Sequence, residues 1–228
     1  SSVITSNAND SALSLMGLSG VTEYKATPGD GCPAVVYGCT DETAINYEFS
    51  ATDDDSSCTY PSPMVDLFYS EYAEGSGNNK YFEIYNPSSE AVNLSDYTYN
   101  SCSDDCNDWF YINTFDEGAI IPAGGTYSVC HIDFAGDQSL CDETKFLYFN
   151  GNDAQALIYL TTGFVLDVIG DTVGTAEHWS VADVSGGTRN HTLVRKCGIS
   201  EGNSDWVSSS GTSSDDSEWL VYDSDTWD

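Results

Sequence analysis

The chain has 228 residues, of which 37 are Asp or Glu and six are Lys or Arg, for a formal net charge of −31 at pH 7. That balance argues against nucleic acid as a partner, because binding it begins with neutralising phosphates, and against anionic membrane surfaces for the same reason. With 40% hydrophobic and 13% aromatic residues the chain is too apolar for a disordered acidic tail, yet no run reaches the ~18 apolar residues of a membrane span.

Residues 1–31 are rich in Ser, Thr, Asn, Ala and Gly around one apolar cluster, Leu13, Leu15, Met16 and Leu18. They end in Thr27-Pro28-Gly29-Asp30-Gly31 and read as an irregular arm or linker. Residues 32–61 follow as a compact unit, with Tyr60-Pro61-Ser62-Pro63 marking its boundary. Its stretch Gly38-Cys39-Thr40-Asp41, Ala44-Ile45-Asn46-Tyr47 and Ala51-Thr52-Asp53-Asp54-Asp55-Ser56-Ser57-Cys58 resembles a short extracellular cysteine-bounded repeat of marine microbial proteins. The resemblance implies a Cys39–Cys58 bond closing about 20 residues, which the chain-entropy model values at roughly 3 kcal/mol. A unit this small needs such a staple.

Inside that loop Asp41, Glu42, Asn46, Glu48, Asp53, Asp54 and Asp55 stand without Lys or Arg. Hard oxygens gathered this densely suit calcium, with Asp41, Asn46, Asp53 and Asp55 as the ligand set. The alternative is that Asp41 and Asp53 cap turns and the other acids form a solvated face. An EF-hand does not fit, since Met64 stands where the bidentate Glu belongs.

From Met64 onward short runs rich in Tyr, Phe, Val and Ile alternate with Gly, Asn, Asp and Ser clusters. The runs Val65–Tyr72, Lys80–Tyr85, Ala91–Tyr99, Trp109–Ile112, Thr126–Ile132, Lys145–Phe149, Ala156–Thr161, Phe164–Ile169 and Thr192–Arg195 predict strands. So many strands without an amphipathic helix predict an all-β antiparallel sandwich over residues 62–228. Strand alternation puts Phe82 and Ile84 on one face and Tyr81, Glu83 and Tyr85 on the other.

Asp66-Leu67-Phe68-Tyr69-Ser70-Glu71-Tyr72 with Asn79-Lys80-Tyr81-Phe82-Glu83-Ile84-Tyr85-Asn86 resembles the opening of a lamin-tail domain of the secreted microbial and algal type. Ala91 to Tyr97, Ile121-Pro122-Ala123-Gly124, Asp167-Val168-Ile169-Gly170 and Leu193-Val194-Arg195-Lys196 continue the pattern in order. The resemblance implies an immunoglobulin-like β-sandwich and places Glu71 and Glu83 on neighbouring strands, where they are expected to be satisfied structural carboxylates, with a shared ion or a pair with Lys80 as the alternative. Tyr69, Tyr72, Tyr81, Tyr85, Tyr97 and Tyr99 stack on sugars if they form an outward row; otherwise they are core.

Eight cysteines in a chain this poor in His and Lys predict disulfides and an oxidising compartment, against a zinc site at Cys102-x-x-x-Cys106. The partners of Cys32, Cys102, Cys106, Cys130, Cys141 and Cys197 stay open. Cys197 follows the Leu193–Lys196 strand and is placed to staple it to a neighbour or to Cys32. Asn9, Asn93 and Asn190 open sequons that permit glycosylation. There is no Gly-x-Ser-x-Gly elbow, and His131, His178 and His191 are scattered, so catalysis is not expected. The composite expectation is an extracellular or cell-surface structural or adhesive protein without enzymatic activity. Its expected partners are other copies of itself or matrix and surface proteins, with glycan binding in an accessory module as the alternative.

Overall fold

A computed structural model of the chain describes residues 3–5, 23–25, 35–59, 64–103, 108–172 and 178–227. Two compact units emerge, Ser1–Pro61 and Ser62–Asp228.

In the first unit β1 (Val3–Thr5) pairs antiparallel with β2 (Glu23–Lys25), so the arm expected to be irregular contains a strand pair. Val3, Ile4, Thr5 and Tyr24 carry β propensity that the surrounding polar composition hides. Leu13, Leu15, Met16 and Leu18 lie outside the described residues. Further on, β3 (Tyr37–Gly38) and β4 (Asp53–Asp54) pair in parallel beside the Cys39–Cys58 disulfide, whose Cα atoms are 4.7 Å apart. Among the described residues of this unit only Cys39 and Ala44 are buried hydrophobics, so the covalent bond replaces a core.

The second unit runs β5 (Phe68–Glu74), β6 (Lys80–Tyr85), β7 (Val92–Asn93), β8 (Tyr97–Cys102), β9 (Tyr111–Thr114), β10 (Ile120–Ile121), β11 (Thr126–His131) and β12 (Glu143–Lys145). It continues with β13 (Ala154–Tyr159), β14 (Phe164–Ile169), β15 (His191–Arg195) and β16 (Trp219–Asp223). A six-stranded sheet of order β12-β11-β6-β5-β15-β16 packs on a four-stranded sheet of order β14-β13-β8-β9, and β7 pairs with β10. One core joins Tyr69, Tyr72, Phe82, Ile84 and Trp219 of the larger sheet to Tyr97, Tyr99, Leu157 and Tyr159 of the smaller. The rings of Phe82 and Tyr99 meet at 4.9 Å across the sandwich. Phe82 and Ile84 face this core as alternation predicts, while Tyr81 packs on the other side with Ala73, Cys130 and Phe134.

Several boundaries differ from expectation for local reasons. The Ala91–Tyr99 run is broken because the Asn93 side chain accepts from the Ser95 N–H and opens a 3-10 turn at Leu94–Asp96. Val65 lies before the ladder, its N–H donating to the Tyr97 hydroxyl at 3.0 Å. The sandwich is not purely antiparallel, since β11 and β12 run parallel with Val129 opposite Glu143. The excursion between them, tied by the Cys130–Cys141 disulfide, brings the chain back to its starting end. A short helix, Trp206–Ser210, also appears; Asp205 caps it by accepting from the Val207 and Ser208 N–H groups.

Arg195 ties the two sheets together. Its guanidinium pairs with Asp167 of β14 and with Glu218, its Nε donates to the Tyr69 carbonyl at 3.1 Å, and its plane lies 3.9 Å from the Trp219 ring centroid. Asp167 also accepts from the Tyr69 N–H at 2.8 Å. Burial pushes the Asp167 carboxyl up, and the Arg195 charge opposes that shift.

The acid surface sets the pH response. For Asp225 slight burial raises the pKa, but hydrogen bonds from Ser76 and Asn79 outweigh it and hold the carboxyl below the usual range. Ser57 lowers Asp55 and Ser139 lowers Asp137 in the same way. Groups with folded pKa values below their unfolded ones give stability that is complete above the unfolded range and is lost as pH falls through the folded pKa. Melting temperature is therefore expected to drop on acidification below about pH 4, and less steeply in Asp225→Asn. An acid limb of equal slope in that variant excludes the Asp225 contribution.

Candidate functional site

The open side of the sandwich lies where β9 ends the four-stranded sheet and β12 ends the six-stranded one. Between them is a cleft of about 320 Å³. After β12 the chain leaves its partner but keeps alternating, so Leu147 and Phe149 enter the core while Phe146 and Tyr148 are 60% and 75% exposed. The two exposed rings stack with centroids 6.2 Å apart and planes 13° apart. Tyr111 of β9, 58% exposed, lines the cleft from the other sheet.

This wall is anchored from beneath. Phe149 packs on Tyr72 at 4.9 Å, and its carbonyl accepts from Lys80 Nζ at 2.6 Å. Burial lowers the Lys80 pKa, and Glu74 opposes that. The His131 ring meets Phe146 edge-on at 6.0 Å, with its Nδ1 accepting from the Asp133 N–H.

The floor comes from strand register. Tyr111 lies opposite Ser101, and Ser101 opposite Gln155, so all three share one face; Tyr99 and Asn113 form the next row. At this end the inner face turns from apolar to polar. Gln155 is 3% exposed and Asp153 5%. Gln155 Nε2 donates to the Ala154 carbonyl at 3.0 Å, and Asp153 accepts from the Asn150 N–H at 2.8 Å. Asn113 Nδ2 donates to the Tyr99 and Tyr111 carbonyls, locking the edge strand. Burial raises the Tyr99 pKa, which keeps that phenol neutral. The arrangement offers a ring platform over buried donors and acceptors, the composition of a binding cleft.

The residues singled out in the sequence fall elsewhere. Tyr69, Tyr72, Tyr97 and Tyr99 are core and Tyr81 is buried, so the outward tyrosine row does not exist; Tyr85 is half-buried. Inward faces of both sheets consumed these rings, because a core between two sheets needs large apolar groups from each. The exposed rings instead follow β12, in a run whose alternation was visible but whose sidedness was not.

Glu71 and Glu83 are cross-strand neighbours as the resemblance implies, and they line a second cleft of about 270 Å³ with Tyr81, Phe134 and Trp227. Tyr81 donates to Glu71 at 2.7 Å and Ser70 to Glu83 at 2.6 Å. Lys80 does not join them. It is turned inward beside Glu74 at 3.9 Å.

In the loop unit Asp41 accepts from the N–H and hydroxyl of Thr43. Asn46 bridges Ser57 and Thr59, and Asp55 accepts from the Ser57 N–H. Asp53 is exposed on β4. Among the described residues no group of three or more His, Cys, Asp or Glu is gathered to hold a metal ion.

Cys39–Cys58 and Cys130–Cys141 are bonded, and Cys102 is in a disulfide rather than a thiolate set. Cys197 is an exposed free thiol, so the expected staple of the last strand is absent there, and Arg195 makes that connection by charge. Cys32, Cys106 and Asn9 lie outside the described residues; Asn93 and Asn190 are exposed. His191 Nδ1 lies 2.7 Å from the Arg189 carbonyl and His178 contacts Arg189, so each histidine has a local structural contact. No helix among the described residues is long and apolar enough to cross a membrane, and the disulfides point to an oxidising compartment.

Comparison with known proteins bears directly on the second unit. No curated protein and no solved structure shows significant similarity to the chain. Residues 61–172 match the family model of the Lamin Tail Domain, an immunoglobulin-like β-sandwich, and span the strands from β5 to β14 that build both walls of the aromatic cleft. This chain therefore carries a lamin tail domain.

Proposed function

We propose that the protein is a non-catalytic structural or adhesive module outside the cell, which holds matrix or surface material in the cleft between Tyr111 and Tyr148. The stacked and exposed Phe146–Tyr148 pair, fixed on a rigid sandwich edge, carries this reading. Contiguous exposed apolar surface of this kind marks an interaction site more often than an idle one. Protein coupled to beads is expected to be retained by extracellular polymeric material, and Phe146→Ser with Tyr148→Ser to abolish retention. Screens for esterase, glycosidase, phosphatase and nuclease turnover are expected to be blank. Turnover lost in that double variant, or retention unchanged by it, overturns the reading.

Assembly with further copies is favoured by a separate observation. β9 is an edge strand whose Ile112 and preceding Phe110 are 66% and 63% exposed, a surface that a second strand extends. Sedimentation velocity is expected to show concentration-dependent association that Ile112→Lys abolishes, and a monomer at every concentration removes assembly from the account.

Calcium belongs to the same proposal as counter-cation of the loop unit, through Asp41, Asn46, Asp53 and Asp55. Six carboxylates with no local Lys or Arg repel one another, and a divalent ion relieves that. Millimolar calcium is expected to raise the unfolding temperature of this unit and EDTA to lower it. If neither shifts it and elemental analysis finds no metal, these side chains serve turns alone.

A further inference from the structure

We infer that the cleft on the outer face of the six-stranded sheet, where Glu71, Glu83 and Asp142 stand beside Tyr81, Phe134 and Trp227, docks a lysine side chain of a basic partner polypeptide. It shares no lining residue with the cleft between Tyr111 and Tyr148, and it stands or falls without the adhesive reading.

Strand register builds the cleft as two neighbouring rows. Glu71 lies opposite Glu83 and Glu83 opposite Ser128, whose N–H donates to Asp142 at 2.8 Å, so three carboxylates border one row. Two residues along, Tyr81 lies between Ala73 and Cys130 in the next row on the same face. Phe134 meets Tyr81 at 5.8 Å between ring centroids, and Trp227 meets Phe134 at 5.2 Å. One half of the cleft is thus acidic and the other aromatic.

Each carboxylate is already held, and by a neutral donor. Glu71 accepts from the Tyr81 hydroxyl at 2.7 Å, Glu83 from the Ser70 hydroxyl at 2.6 Å and Asp142 from the Ser128 N–H. These bonds fix where the carboxylates sit and leave their charge in place. Like charges directly opposite on neighbouring strands destabilise each other, and among the described residues no Lys or Arg lines the cleft. A cation from outside relieves that repulsion.

The rest of the lining selects the kind of cation. Among the described residues no three acids are gathered to hold a metal ion, so a small hard ion is not matched. A charge carried on an apolar stem is matched: aromatic rings attract it, and its methylenes lie along Phe134 and Leu140. At about 270 Å³ the cleft has room for one long side chain rather than a folded element. The net charge of −31 attracts a partner in proportion to that partner's own charge, which favours a polybasic chain over a monovalent amine. A second copy is a poor occupant, because Lys80, Lys145, Arg189, Arg195 and Lys196 are engaged inside their own fold.

The test is calorimetry on the full chain at about 0.15 M salt, where exposed charges more than ~8 Å apart are screened. The probes are an alternating lysine–serine octapeptide, the same peptide with norleucine for lysine, n-butylamine and calcium chloride. Saturable binding of the lysine peptide is expected, weakened about ten-fold or more by Glu71→Gln with Glu83→Gln and by Trp227→Ala. Glu117→Gln, which removes an exposed charge outside the cleft, is expected to bind as wild type. The glutamines keep an acceptor for Tyr81 and Ser70, so melting curves matching wild type are expected and separate binding from folding. Norleucine binding equal to lysine binding, lysine binding that survives the cleft changes, or no binding at all overturns the inference. So does butylamine that matches the peptide, which assigns the cleft to free amines, and so does calcium binding abolished by the glutamine pair, which assigns it to an inorganic ion. Bead retention through Phe146 and Tyr148 is expected to be unaffected by these variants, so the two readings fail separately.

Discussion

Replacing Arg195 with alanine is expected to remove about 3–5 kcal/mol of unfolding free energy, a large share of the roughly 5–15 kcal/mol that holds a typical domain folded. The side chain is 2% exposed and satisfies Asp167, Glu218 and the Tyr69 carbonyl together, so its loss strands a buried carboxylate between the sheets. The stacking on Trp219 at 3.9 Å is lost as well. Urea unfolding followed by tryptophan fluorescence measures the effect. Arg195→Met with Asp167→Leu is expected to recover most of it, because an apolar pair of similar volume avoids desolvating charge. A loss below about 1 kcal/mol for the alanine variant means that the network is solvated and does not tie the sheets.

The second large effect is expected in the first unit. Cys39→Ser with Cys58→Ser removes about 3 kcal/mol of loop-closure stabilisation from a segment whose described core is Cys39 and Ala44 alone. Besides the disulfide, β3 and β4 are joined by exposed hydrogen bonds such as Thr52 N–H to the Val36 carbonyl, without a core behind them, so residues 35–59 are expected to become protease-sensitive in the double variant. The strands of the second unit stay resistant, because their core does not depend on this bond. Equal proteolytic resistance of wild type and variant shows that turn bonds such as Asn46 to Thr59 suffice without the disulfide.

Much of the fold was legible in local pattern. Tyr81-Phe82-Glu83-Ile84-Tyr85 alternates cleanly, and its inward and outward sets sit where alternation assigns them. Where a side chain competes with the ladder, the pattern misleads, as Asn93 does by capping the Leu94–Asp96 turn inside an otherwise continuous apolar run. The direction of β12 was not legible, since parallel pairing is set by the path of the preceding excursion and not by any residue of the strand.

The aromatic cleft was half legible. Phe146-Leu147-Tyr148-Phe149 declares two faces, but which face meets solvent depends on Tyr72 and Lys80, more than 60 residues upstream. The tyrosines that looked most suited to display, Tyr69 and Tyr99 among them, are instead the rings that fill the space between the sheets. For the acidic loop, composition indicates charge density but not geometry. Of the two turn caps expected, Asp41 accepts from Thr43, its next-but-one neighbour, whereas Asp53 is exposed on β4 and the second turn is capped by Asp55 through Ser57.

The Cys130–Cys141 bond joins a residue of β11 to the residue two places before β12, so everything between them belongs to a covalent ring seated on two adjacent strands. Inserting a peptide at the exposed turn Gln138–Leu140 enlarges that ring without parting its ends. Doubling a flexible loop costs only about 0.6 kcal/mol in chain entropy, and here the anchor points cannot drift while it grows. The turn is thus a natural attachment port, where a reporter or a second recognition element can be carried while the strands at its base keep their registration.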